Sequence, residues 1–163
     1  MSFDPIDEMQ KLTDDWAMRG LNHFFIDEHG YNNDECLTRN REFRIYVSDK
    51  LDKNIDPLSL SILKWMLVCD GWITGLGSCN CACCTAYYCG DSDKRKLPCP
   101  IYLDTGFPEC RETPYQEYCE TEEYSSAVAE LQYLEDLQKR NLPSKRKASV
   151  KSRRNKEKSI NTA

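Results

Sequence analysis

Histidine is scarce in this 163-residue chain: His23 and His29 are the only two, and both precede the cysteine-rich stretch. A cysteine nucleophile therefore lacks the neighbouring base that usually activates it. G-x-S-x-G, the phosphate-binding P-loop and the dinucleotide fingerprint G-x-G-x-x-G are also missing. The expectation is a protein that is not an enzyme. Long apolar runs are absent too: the longest, 59–69, is interrupted by Lys64 and is far shorter than the roughly 20 residues needed to cross a bilayer. The N-terminus, Met1-Ser2-Phe3-Asp4-Pro5, lacks the basic region and apolar stretch of an export signal. No membrane contact and a reducing, cytoplasmic environment are expected, which weighs against structural disulfides.

Cysteine is abundant. Eight of ten lie within the 41 residues from Cys79 to Cys119. Thiols packed this densely make a metal site, a disulfide framework or a redox centre, and the C-x-x-C step at Cys81 and Cys84 in a reducing setting favours metal. A structural zinc site takes four thiolates in a tetrahedron, supplied as close steps joined by a loop. Cys81 and Cys84 make the first step, with Asn80 or backbone amides as hydrogen-bond donors to the sulfurs. Cys99 and Cys110 are the choice for the second half, because Thr105-Gly106-Phe107-Pro108 reads as a turn that folds the chain back. Cys89 is the substitute for Cys110. Cys79, Cys83 and Cys119 are read as extra thiols, each more readily a non-ligand. An iron–sulfur cluster is the rival cofactor, since Cys-Pro steps also occur in its ligation.

Charge is divided along the chain. Lys139 to Ala163 holds ten Lys or Arg against one acid, a formal +9, whereas the preceding 138 residues hold 12 basic and 26 acidic residues, a formal −14. Residues 142–163 are too polar to bury a core and read as a disordered tail. Its basic residues, Lys145, Arg146, Lys147, Lys151, Arg153, Arg154, Lys156 and Lys158, are candidates for phosphate contacts. A solubilising tail folded back on the acidic body is the plain alternative, and a nuclear-import signal a third. The pairs Asp14-Asp15, Asp27-Glu28 and Glu122-Glu123 read as solvated surface. Trp65, Trp72, Tyr87 and Tyr88 read first as packing around the metal and second as base-stacking residues.

The fold expected is mainly α with a small irregular zinc module, α+β being the alternative. Its parts are a helical region (1–78), the cysteine-rich module (79–120), an amphipathic helix (121–141) and the tail (142–163). Asp4-Pro5 and Asp56-Pro57 pair a capping acid with a first-turn proline, and each opens a helix. The first presents Ile6, Met9, Leu12, Thr13 and Trp16 on one face up to Gly20. The second, Leu58 to Cys69, is apolar around most of its axis and reads as the central core helix. Phe43 to Val47 alternates as a strand does and also fits a helix, so residues 21–55 read as mixed. Over 122–140, Tyr124, Ala127, Val128, Leu131, Leu134 and Leu137 form a stripe, for packing on the protein's own core or for a partner or second copy. Glu135 with Lys139 and Asp136 with Arg140 are set for ion pairs one turn apart.

Several of these motifs recur together. Lys64-Trp65, Asn80-Cys81-Ala82-Cys83-Cys84, Cys99-Pro100-Ile101-Tyr102 with Thr105-Gly106, Cys110, Thr113-Pro114-Tyr115, and Ala129-Glu130-Leu131 with Tyr133-Leu134 follow one pattern over residues 64–137. That pattern resembles a family of short, uncharacterised cysteine-rich proteins from bacteriophages and prokaryotes, running N-C-x-x-C, C-x-x-C-P-I-Y-x-x-T-G, C, T-P-Y. The chain departs from it at Lys96, where the pattern carries cysteine. The resemblance implies a cysteine-ligated metal, with zinc the first choice, in a phage or microbial protein of unassigned activity. A non-enzymatic adaptor or regulator touching nucleic acid, or a partner bound to it, is the leading expectation. A component of a virus particle or other large assembly is the alternative, and an iron–sulfur or redox protein the third. Location follows: host cytoplasm, with virion or nucleus as alternatives.

Overall fold

Burial of one nearly all-apolar helix organises the chain. The structure, a computed structural model, describes residues 3–21, 34–73, 82–83, 99–107, 110 and 112–141. In chain order these give α1 (Pro5–Met18), α2 (Asp34–Asp52), α3 (Pro57–Cys69), α4 (Pro100–Thr105), α5 (Pro114–Thr121) and α6 (Tyr124–Asn141). The fold is mainly α, and no strand occurs among the described residues.

The two Asp-Pro signals open helices as expected. In α3 the Asp56 carboxylate accepts the Leu58 and Ser59 amides at 3.4 and 3.3 Å, satisfying donors that no helical carbonyl can reach. Pro57, which has no N–H to satisfy, sits in the first turn. Asp70 closes the helix, and Gly71 follows in the left-handed conformation at φ 80°. Nine of its 13 residues are buried. α1 packs on α3 and so does α6, so this is the central helix. Gln138 of α6 secures that second contact by donating to Ser59 Oγ at 2.7 Å and Asp56 Oδ2 at 3.2 Å. Asp56→Ala removes the cap and this anchor together, and should destabilise by about 1–2 kcal/mol. Urea unfolding checks this, and Asp56→Ser should recover most of the loss.

In α1, Asp4 accepts the Ile6 amide at 3.0 Å and Gly20 follows the helix at φ 81°. Met9, Leu12 and Trp16 face the core, but Ile6 is 68% exposed. Trp16 is buried against Trp72, ring centroids 5.9 Å apart, and its indole N–H donates to Glu42 at 3.0 Å. Hydrogen bonds from Arg19, reinforced by Trp16, hold the Glu42 carboxyl below the usual carboxylate range, against the opposing effect of burial. A depressed folded-state pKa stabilises above the unfolded-state value and is lost as pH falls through the folded one. Stability should therefore drop on acidification below the ordinary carboxylate range. Because the pair is partly exposed, the effect is modest; comparing acid unfolding of wild type with Glu42→Gln, whose profile should be flatter, measures it.

The strand-like stretch Phe43 to Val47 lies inside α2. Phe43 and Val47 are buried one turn apart, while Ile45 is 70% exposed. A helix satisfies its backbone polar groups internally, whereas a strand needs a neighbour to pair with. In the second turn of α2 Arg39 is buried, its Nε donating to the Trp72 carbonyl.

Two helices lie within the stretch expected to be irregular. α4 begins after Cys99 and α5 after Thr113, each with proline in its first turn. Gly106 ends α4 in the left-handed conformation, with open space where a Cβ would stand. Glu122, also left-handed at φ 53°, separates α5 from α6. Ala127, Leu134 and Leu137 of α6 are buried in the core, while Tyr124 and Val128 are exposed. Arg140 pairs with Asp104 of α4 at 2.7 Å in place of Asp136. The Tyr133 hydroxyl donates to the same carboxylate at 2.6 Å. Among the described residues no helix is long and apolar enough to cross a membrane.

Candidate metal centre

Cys99 is the cap residue of α4, in extended conformation and buried. Its carbonyl accepts the Leu103 amide at 3.0 Å, and its thiol makes no capping hydrogen bond. Cys110, half-buried, has φ 60°, and Glu112 has φ 65°. Left-handed non-glycine residues carry a strain of about 1 kcal/mol or more and persist only where their surroundings hold them. Here the hold is visible. Thr113 Oγ1 donates to the Cys110 carbonyl at 2.7 Å, and the Glu112 amide donates to Gln116 at 3.2 Å. The Tyr115 amide is shared between Thr113 Oγ1, at 3.2 Å, and the buried Glu130 carboxylate, at 3.1 Å. The Thr-Pro-Tyr step thus fixes the backbone that carries Cys110, and Glu130 ties that step to α6.

Three other cysteines lie among the residues whose side chains are described. Cys83, beside Ala82 in a short helical segment, is fully buried and accepts a hydrogen bond from Ser61 of α3 at 3.4 Å. The sequence reading places Cys83 among the extra thiols. Its burial against a polar residue of the central helix sets it apart, and the signal that could have found it is Ser61 itself, a hydroxyl in an apolar helix. Cys119 is exposed on α5. Cys69, at the end of α3, is different again: burial, with Asp70 and Glu135 adding to it, pushes its thiol up to about 11. A thiol whose charged form is disfavoured in this way is a poorer nucleophile than an ordinary cysteine.

Of the expected quartet, Cys99 and Cys110 are described, and Cys81 and Cys84, like the substitute Cys89, lie outside the described residues. So do His23, His29 and the tail from Lys145 to Lys158. Among the described residues no three Cys, His, Asp or Glu side chains converge to hold a metal. Cys83 and Cys99 do share one buried cluster with Trp65, Ile101 and Tyr118, and Cys110 packs against it. Thiolates are soft ligands, which suit zinc or an iron–sulfur cluster better than hard cations. Trp65 of α3 meets Tyr115 and Tyr118 of α5 edge-on, at 5.8 and 5.0 Å, and packs the cysteine-bearing segment onto the central helix. Comparison with known protein families, curated proteins and solved structures gives no match for this chain.

Proposed function

We propose that this is a small zinc-binding protein of phage-like type, without catalytic activity, acting as an adaptor or regulator that contacts nucleic acid or a nucleic-acid-bound partner through its basic tail. The observation that carries this reading is the joining of two features: eight cysteines in 41 residues, and a segment of formal +9 on a body of formal −14. Cys81, Cys84, Cys99 and Cys110 would hold the metal, with Cys89 as substitute. Bound zinc would crosslink the segment and supply folding free energy that a thin core lacks. The tail would add sequence-independent attraction for phosphates.

A component of a virus particle or other large assembly is the second reading. Tyr124 and Val128, exposed one turn apart on α6, favour it, since they offer a partner or a second copy an apolar contact. Absorbance and sizing test these readings together. A colourless protein running as a monomer or discrete small oligomer, and retained on nucleic acid at low salt, is expected. Brown colour with visible absorbance would replace zinc by an iron–sulfur cluster, and stable recovery with purified particles would favour the assembly component.

A further inference from the structure

Two helices that pack on one another, α3 and α6, each carry one charge inside a buried face. Lys64 of α3 is 2% exposed and lies one turn from the buried Leu60 and Val68; Glu130 of α6 is 2% exposed and lies one turn from the buried Ala127 and Leu134. Both touch Tyr115 of α5. Lys64 Nζ lies 5.9 Å from the Tyr115 ring centroid and 5.1 Å from that of Trp65, while Glu130 Oε1 accepts the Tyr115 amide at 3.1 Å. The aromatic faces favour the ammonium, and the positive end of the α5 dipole favours the carboxylate. Each of these offsets is smaller than the cost of desolvating an ion.

Opposite charges that share one tyrosine have a further offset in each other, because buried charges are screened far less than exposed ones. α5 has only eight residues, too few to hold as an isolated helix. Its place is set by its contacts. We propose that Lys64 and Glu130 form a buried two-charge latch, coupled across Tyr115, that holds α5 on α3 and α6. The latch fixes more than α5. The Tyr115 amide is shared with Thr113 Oγ1, which itself donates to the Cys110 carbonyl, so loss of either charge loosens the left-handed backbone at Cys110 and Glu112.

The test uses the full chain as wild type, Lys64→Met, Glu130→Gln and the double variant. Glutamine keeps an acceptor for the Tyr115 amide and removes only the charge; methionine keeps the length of the lysine stem. Thermal unfolding and amide hydrogen exchange are measured. Each single variant should lower the melting temperature by roughly 6–20 °C, as loss of one partner of a buried pair implies. Exchange of the α5 amides should rise about tenfold or more, and by more than that of α1. The double variant should lose several degrees less than the sum of the two single losses, the mark of coupled charges. Lys64→Arg, which keeps the charge, should leave α5 exchange close to wild type. A single variant that does not fold while the double variant does would support the latch. Additive losses, equal acceleration of exchange in α1 and α5, equal effects of Lys64→Arg and Lys64→Met, or failure of the double variant to fold would each overturn it.

Discussion

Cys99→Ser is expected to lose bound metal and with it the structure of residues 79–119. Cys99 caps α4 from a buried position, so the substitution removes a thiolate and leaves a weakly ligating hydroxyl in an apolar surround. Apparent binding free energies of structural zinc are about 10–16 kcal/mol, and where the site forms only on folding that energy is folding energy. A three-thiolate remnant should bind orders of magnitude more weakly and expose the apolar contacts of Trp65, Tyr115 and Tyr118, so insolubility is expected as well. Cys81→Ser and Cys84→Ser should behave alike. Cys69→Ala is the control: it ends α3, outside the 79–119 stretch, and its loss should cost no more than a small buried side chain, about 1 kcal/mol, with metal retained. Metal content and near-ultraviolet circular dichroism of the four variants decide the matter. Full occupancy in Cys81→Ser would show that the ligand set is wrong.

Deletion of residues 142–163 is expected to abolish nucleic-acid binding without changing the fold. The body that remains, residues 1–141, repels phosphate at a formal −12, and the deleted segment holds eight Lys or Arg and one acid. Each phosphate neutralised releases counterions, so a protein making 6–10 such contacts loses roughly 10³–10⁵ in affinity between about 50 and 200 mM salt. The intact chain should show that steep dependence on duplex and single strands alike, with little sequence preference. Its melting temperature should be unchanged by the deletion, because the segment is too polar to contribute to a core. Binding that survives the deletion would point to the aromatic and cysteine segment. Absence of binding by the intact chain at low salt would make the assembly component the preferred reading.

Much of the helical frame was legible, because its signals are local. An aspartate followed by proline satisfies the first amides of a helix wherever it occurs, and Asp4-Pro5 and Asp56-Pro57 opened α1 and α3 accordingly. The same physics was present at Thr113-Pro114, whose threonine caps α5. Helices of six and eight residues are too short to display a period. Phe43 to Val47 was ambiguous because Phe43, Ile45 and Val47 fit a strand while Phe43 and Val47 fit a helix. The pairing of Arg140 with Asp104 rather than Asp136 depends on α4 lying beside α6, which no local spacing reveals.

Composition raises the proposal of a thiol site, through eight clustered cysteines, but which of them converge depends on contacts between distant residues. Ser61 and Cys83, 22 residues apart, illustrate this, as does the bond from Tyr115 to Glu130 across 15 residues. In sequence Lys64 is an interruption of an apolar run, and only packing shows that it is buried between aromatic rings.

Metal analysis of the native protein, with reactive thiols counted before and after strong chelation, tests the zinc reading most directly. About one zinc per chain is expected, with its ligand thiols shielded until chelation and residues 79–119 losing structure as they become reactive. A metal-free protein that keeps its tertiary structure under reducing conditions would contradict it.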